Sequence, residues 1–436
     1  MRWLTAKGLL AGSVGLALFV LPISVNAAAD SGGQTFKLKK VSVLKDLPKK
    51  VKEAATRGAS NAFCRINVPK DKDIKAFPKP KSDKAFYGTA MFFAKGLGLP
   101  GTDPGQKFCL VLDESKGTGK GYDTLIVDAN HDFDLTNDAV LKLVKDSPLA
   151  VAPPYGGEKP IVFDSFKLAI PGAKKGDGLT VWPVVRMYSK DVCSVGFVCE
   201  TAYAGKIKIA DKEHDIVLAQ IYSITGGFDS TMVSLFFGDD SPRDGMPIAY
   251  YHSAAGKLWD IIPSATGDTL TVKPLEGAMC QIDFVCGDKK AQVSNAMLLS
   301  DQSRIIDASE FTKDGKPLMV PAGNYAIVNA SVAVGEVTTR LSMLSSEKML
   351  YPIKATKGKA FAIDFKKPIG GKVTSPAEDN ISISQNGSVN ISASFFDDKQ
   401  GFALGAVSVK GKTLEPAVKV YDASGKVIAQ GKMPFG

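Results

Sequence analysis

Short runs rich in Val, Ile, Leu and Phe, each closed within about eight residues by Gly, Asp or Pro, recur along the chain, and such runs build sheets. The clearest cover residues 108–112, 124–127, 206–210, 216–221, 231–237, 269–273, 325–332 and 417–421. Many alternate apolar and polar positions, the period of a half-buried strand. The expected fold is mainly β and multi-domain. The best helical pattern covers residues 44–57, with Pro48 in an early turn and Gly58 closing the C-terminal end. A Lys- and Pro-rich stretch over 69–84 follows and reads as exposed loop.

At the N-terminus, Arg2 and Lys7 precede an apolar run over 9–23 and then Val25-Asn26-Ala27-Ala28, the small-residue pattern of a signal-peptidase site. The run falls short of the ~20 residues that span a bilayer and is interrupted by Gly12, Gly15 and Pro22, so it reads as a cleaved leader, residues 1–27, rather than an anchor. No later segment is long and apolar enough to cross a membrane. The expected destination is the periplasm, the cell surface or the medium. Removing 27 residues from 436 leaves 409. At ~150 residues per domain that is two to four domains. The expected pieces are a helix and Lys/Pro loop over 28–85, a β domain over 86–200, a second β region over 201–364 and a β-sandwich over 365–436. The last rests on Ser/Asn-rich strands within 381–396 and a hairpin over 418–429, a pattern of immunoglobulin or transthyretin type.

Lys and Arg number 54 against 45 Asp and Glu, and without the leader's two cations the balance is 52 to 45. That excess suits adhesion to an anionic envelope polymer or polysaccharide. Nucleic acid is not an expected partner, because export removes it and no basic, aromatic-interleaved motif is present.

Six cysteines in an exported chain point to three disulfides. CSVGFVC (193–199) and CQIDFVC (280–286) share one frame. On a straight strand such cysteines lie ~20 Å apart, far outside the ~4.4–6.8 Å Cα window of a disulfide. Either Cys193–Cys199 and Cys280–Cys286 each close a tight loop, the preferred reading, or pairing crosses between them; Cys64 and Cys109 are then left for each other. Zinc is disfavoured, since five residues separate each pair where zinc doublets usually use two to four.

Two segments read as copies of one hairpin unit. Cys109-Leu-Val-Leu leads to Gly121-Tyr122-Asp123 and the run 124–127; Ile216-Val-Leu-Ala leads to Gly227-Phe228-Asp229 and the run 231–237. Only the first continues into VDANHDFDLTND, residues 127–138. Taking Asp128 as position 1 of a calcium loop puts Asn130 at 3, Asp132 at 5, the Asp134 carbonyl at 7 and Thr136 at 9. Position 6, normally Gly, is Phe133; position 12, normally a bidentate Glu, is Ala139, with Asp138 one residue early. A strand, not a helix, leads in. The run resembles the EF-hand-like D-x-N-x-D-x-D-L loops of exported, β-rich bacterial proteins of unknown function, and the resemblance implies one Ca²⁺ held by Asp128, Asn130, Asp132, Asp134 and Asp138. Asp128, Asp132, Asp134 and Asp138 repel one another unless solvated, paired or neutralised by a cation. On that repulsion, Asn at 128 and 132 is expected to leave the calcium-free fold equally or slightly more stable. The competing account is a solvated turn built by Asx side chains. His131 falls at a non-ligating position and reads as solvent-facing.

Motifs for catalysis are weak. Lys116-Gly-Thr-Gly-Lys-Gly121 lacks the Ser or Thr and the helix of a phosphate loop, and the histidines at 131, 214 and 252 have no metal-ligand spacing. Ser345-Ser-Glu-Lys348 has no partner motif. The sequence therefore points to an exported, non-catalytic, calcium-stabilised envelope or secreted protein with surface or polysaccharide binding. The alternative is a hydrolase of envelope polysaccharide or peptide polymers, whose paired carboxylates need no local signature. Aromatic exposure at Trp182 or Trp259 would favour sugar binding.

Overall fold

The computed structural model describes residues 33–56, 59–65, 72–93, 105–118, 121–150, 159–169, 178–221, 223–238, 245–255, 257–275, 279–286, 289–290, 292–307, 318–343, 351–364, 370–375, 392–397 and 402–432. The leader expected over 1–27 lies outside them. The chain is mainly β, and the apolar runs pair almost entirely with antiparallel neighbours.

One sheet carries the acidic loop. Ala59–Arg65, Phe86–Phe92, Gln106–Asp113, Thr124–Val127 and Val140–Lys142 form an antiparallel series. On the far side of Ala59–Arg65 lie Val192–Cys199 and then Gly178–Met187. A second sheet contains Thr201–Ile209, Lys212–Ala219 and Ser234–Phe237, edged by Lys39–Ser42. A third runs from Gln34–Lys37 through Thr269–Pro274, Lys257–Pro263 and Tyr250–Ala254 to Ile305–Asp307, and on through Gln292–Ser300, Gly323–Val334 and Val337–Met343 to Phe402–Val409. A smaller sheet surrounds Met279–Cys286, and Ala417–Tyr421 pairs with Val427–Lys432.

Alternation assigns faces. In Gln106–Asp113, Phe108, Leu110 and Leu112 enter the largest core, shared with Phe86, Phe92, Val195 and Phe197 of the same sheet and with Ile207, Leu218, Ile261 and Leu270 of the next two. Cys109 and Val111 face the other way. A second core joins Ile282, Leu298, Ile327, Leu341 and Phe402, together with Tyr251 and Leu258. The two cores interleave over 251–272, where Tyr251 and Leu258 join the second and Ile261, Leu270 and Val272 the first.

Two expectations shift and one is refined. The helix is Lys49–Thr56, starting directly after Pro48, whose carbonyl accepts from the Val51 and Lys52 N–H groups. Two turns are too short to persist alone. Val51, Ala54 and Ala55 hold it by packing with Leu149, Val184, Val198 and Phe236. Residues 44–48 are instead a turn, fixed where the Ser42 N–H donates to Asp46 Oδ2 at 2.7 Å. The Lys/Pro stretch is, over its described part 72–84, the mostly exposed loop expected, but one tied down as a strap: Ile74 and Phe77 pack against Val111 and Leu135, and the Lys81 and Ser82 N–H groups donate to the Asp113 carboxylate. Finally, hydrogen bonding crosses the boundary expected at 365, because Phe402–Val409 is the direct neighbour of Val337–Met343.

Candidate functional site

The hairpin of Gln106–Asp113 and Thr124–Val127 pairs Leu110 with Val127, and the next step of that ladder is the Asp128 N–H donating to the Cys109 carbonyl at 3.0 Å. The first residue of the acidic run is thus fixed by the sheet, and its side chain is fully buried. Asp128 Oδ1 accepts from the Asp132 N–H at 3.1 Å and Oδ2 from the Phe133 N–H at 3.3 Å. From there each polar side chain folds over the amide two residues on: Asp132 N–H to Asn130 Oδ1 at 3.0 Å, Asp134 N–H to Asp132 Oδ1 at 2.8 Å, Thr136 N–H to Asp134 Oδ1 at 2.9 Å. These are successive Asx turns, which is what Asp or Asn at every second position does to a backbone. Asp138 then returns to the start, its Oδ1 accepting from the Ala129 N–H at 3.0 Å.

Phe133 has φ +63° and His131 φ +59°, both left-handed. For a side-chain-bearing residue that conformation costs about 1–2 kcal/mol. Phe133 therefore adopts, without being glycine, the turn for which a calcium loop normally uses one, and its ring packs into the cluster of Leu135, Val111 and Cys109. His131 is not solvent-facing as expected: its ring stacks on Phe108 at 4.6 Å, and Nε2 lies 3.0 Å from the Lys107 carbonyl, so Nε2 carries the proton.

Two contributors carried no local signal. Lys75 donates its N–H to the Phe133 carbonyl and its Nζ to the Asp132 carbonyl, both at 2.8 Å, while the Leu135 N–H donates to the Ala76 carbonyl at 3.1 Å. The strap thereby brings one cation to the loop and pins its backbone. Asn137 donates to Asp132 Oδ2 at 2.8 Å, beside Asn130 at 3.0 Å. Asn137 stood within the quoted run, but its position has no assigned ligand role.

The carboxylates differ in environment. Hydrogen bonds from Asn137 and the Asp134 N–H, helped by Lys75, hold the Asp132 carboxyl below the usual range. Burial pushes Asp128 up, against the two amides that favour its charge. Asp138 is pushed up to about 6, by burial first and then by Asp128, Asp132 and Asp134. Its Oδ2 is buried with no hydrogen-bond partner. Among the described residues no three His, Cys, Asp or Glu side chains form a ready metal shell. A calcium loop draws besides on an amide oxygen and a main-chain carbonyl. Here Asn130 Oδ1 accepts from the Asp132 N–H and the Asp134 carbonyl from the Asn137 N–H.

The cysteines depart from local pairing. Cys193 and Cys199 sit at the two ends of the continuous strand Val192–Cys199, and Cys280 and Cys286 span Met279–Cys286 in the same way. Six residues of strand hold each pair ~20 Å apart, so neither closes a loop. Among the described cysteines none is bonded to another. Cys199 is a buried thiol pushed up to about 12 by burial, donating to the Thr201 carbonyl. The tryptophans are also fastened inward: Trp182 Nε1 donates to Glu200 Oε2 at 2.9 Å and Trp259 Nε1 to the Ala254 carbonyl at 3.1 Å, each half-buried against a core. Neither is a free aromatic platform. Among the described residues no helix is long and apolar enough to cross a membrane. No family model, no curated protein and no solved structure matches the chain.

Proposed function

We propose that the chain is an exported, non-catalytic β protein whose acidic loop takes up one calcium ion and is stabilised by it, with adhesion to an anionic envelope polymer or polysaccharide as its task. The observation that carries the metal reading is Asp138 Oδ2, a buried carboxylate oxygen with no partner among three further carboxylates. A buried charge without a counter-charge is costly, and a hard cation bound by oxygen ligands supplies that counter-charge. Asp128, Asn130, Asp132 and Asp138 would offer side-chain oxygens and Asp134 its carbonyl. Asp138, one residue short of the usual closing Glu, serves as the closing carboxylate because it already returns to the Ala129 N–H. The adhesion reading rests on the Lys and Arg excess, 52 to 45 without the leader. The C-terminal strands are read as an immunoglobulin- or transthyretin-like layer joined to the third sheet.

Extracellular modules bind calcium at about 10⁻⁴–10⁻³ M. At ten times the Kd, one ion stabilises the fold by roughly 1.4 kcal/mol. Thermal melts with millimolar calcium should shift upward, and those with magnesium less, since magnesium demands a tighter octahedral shell. Superimposable melts, with no heat in titration calorimetry, would leave the loop a solvated Asx turn.

A further inference from the structure

Ala59–Arg65 and Val192–Cys199 are antiparallel neighbours, and their register sets Cys64 directly opposite Cys193. Opposed residues of an antiparallel pair have Cα atoms ~4.5 or ~5.5 Å apart, depending on which kind of pair they are, and present their Cβ atoms to one face. Both separations fall within the ~4.4–6.8 Å window of a disulfide. The register is regular here; its one irregularity lies at Gly196/Phe197.

The same geometry disposes of Cys109 as partner for Cys64. Gln106–Asp113 is separated from Ala59–Arg65 by Phe86–Phe92, two strand spacings or ~10 Å. Cys109 also packs with Val111 and Leu135, on the face opposite to the one where Cys193 meets Val195 and Phe197.

Cys193 is a free thiol in the structure; from the strand register we infer that on oxidation it forms a cross-strand disulfide with Cys64, which locks Val192–Cys199 to Ala59–Arg65. Cys193 is completely buried, so the bond must close during folding, before the core seals. The oxidant is a thiol–disulfide carrier, protein or small molecule. One cysteine thiolate attacks the carrier disulfide, breaking its S–S bond and forming a mixed disulfide. The second thiolate resolves it, the Cys64–Cys193 S–S bond forms, and the carrier's two sulfurs leave as thiols, one dithiol or two separate thiols, with the two electrons and two protons. Once made, the bond is shielded from reductant by the same burial that hides Cys193. It joins residues far apart in sequence, where a disulfide most restricts the unfolded chain.

The test is refolding of the full chain, reduced and unfolded beforehand, in a buffer of oxidised and reduced glutathione, followed by alkylation, non-reducing digestion and mass spectrometry. The expected result is a linked peptide pair containing Cys64 and Cys193 that survives dithiothreitol under native conditions and is lost when denaturant is added. Cys109→Ser should retain the pair and Cys64→Ser should abolish it, with Cys193 then alkylated only after unfolding. A Cys64–Cys109 peptide, or complete alkylation of both Cys64 and Cys193 in the refolded wild type, overturns the inference. Neither outcome depends on whether the acidic loop binds calcium.

Discussion

Two hairpins, Gln106–Asp113 with Thr124–Val127 and Lys212–Ala219 with Ser234–Phe237, are built alike and end differently. Each carries a Gly-aromatic-Asp turn whose ring is buried edge-on against an aromatic residue of the preceding strand: Tyr122 against Phe86, and Phe228 against Tyr203, both at 4.9 Å. In each sheet that aromatic faces a leucine across the ladder, Phe86 to Leu112 and Tyr203 to Leu218. Beside the second hairpin Gly267, at φ +80° in the turn between Lys257–Pro263 and Thr269–Pro274, leaves room for the Tyr203 and Phe228 rings; a Cβ there would meet their carbons at 2.6–2.7 Å. Beyond the last strand the likeness stops. The first hairpin runs into Asp128 and a loop in which every second side chain turns the backbone. The second reaches Gly238, and residues 239–244 lie outside those described. The shared part is therefore packing, and the acidic chemistry is an addition at one end of a unit that folds without it.

The largest effects should fall on the shared part. Phe228→Ala removes a ring only 2% exposed and should destabilise the fold by about 3–5 kcal/mol. Tyr122→Ala should approach the same value, while Tyr122→Phe, which loses only the hydroxyl donation to the Lys84 carbonyl, should cost about 1 kcal/mol. Urea unfolding measures all three. A Tyr122→Ala cost below about 1 kcal/mol beside a large Phe228→Ala cost would break the equivalence of the two hairpins.

Those hairpins were readable because a run such as 124–127 states its own length in β-branched residues, and its observed strand has the same limits. Partner choice is not written that way. Nothing near Val192–Cys199 says that Ala59–Arg65 lies beside it, so the cysteine frame suggested a local loop where the chain is straight. The acidic residues were legible at alternate positions; their restraints were not. Lys75 and Ile74 come from a stretch whose composition reads as solvent-exposed, and His131 owes its stacked position to Phe108 on another strand. Phe133 broke the expected glycine rule because its ring burial offsets a local strain, a tertiary effect invisible at one position.

Sharpening the contrast at the acidic end takes a smaller perturbation. Mutual repulsion alone predicts that Asn at 128 and 132 together would be neutral or stabilising without calcium, to which the replacement at 128 should contribute its share. The contacts reverse this: both Asp128 oxygens accept backbone amides, and an Asn would turn an NH₂ group toward one of them. Asp128→Asn should therefore lower calcium-free stability by about 1–3 kcal/mol and remove the calcium-dependent shift. A calcium-free midpoint equal to wild type would show that repulsion outweighs those amides.

The smallest effect belongs to Asp138, and pH separates it from the rest. Its folded carboxyl titrates at about 6, against about 4 in an unfolded chain. Between these values the folded state holds the proton that the unfolded state has lost, so stability falls as pH rises from about 4 to 6 and is unaffected by this group outside that window. Two pH units would amount to ~2.7 kcal/mol in full, but the residue is half-buried and solvent screening brings the effect to about 1 kcal/mol. Asp138→Asn should abolish that slope and stabilise the calcium-free protein near pH 7, where the wild type bears the unpaired charge. Calcium favours the ionised form, so its stabilisation of the wild type should be larger at pH 7.5 than at pH 5. Melts of both proteins at those two pH values, with calcium and with chelator, decide the matter. A calcium shift in the wild type that is independent of pH would remove Asp138 from the ligand set, and a wild-type slope retained in Asp138→Asn would assign the titration to another carboxylate of the loop.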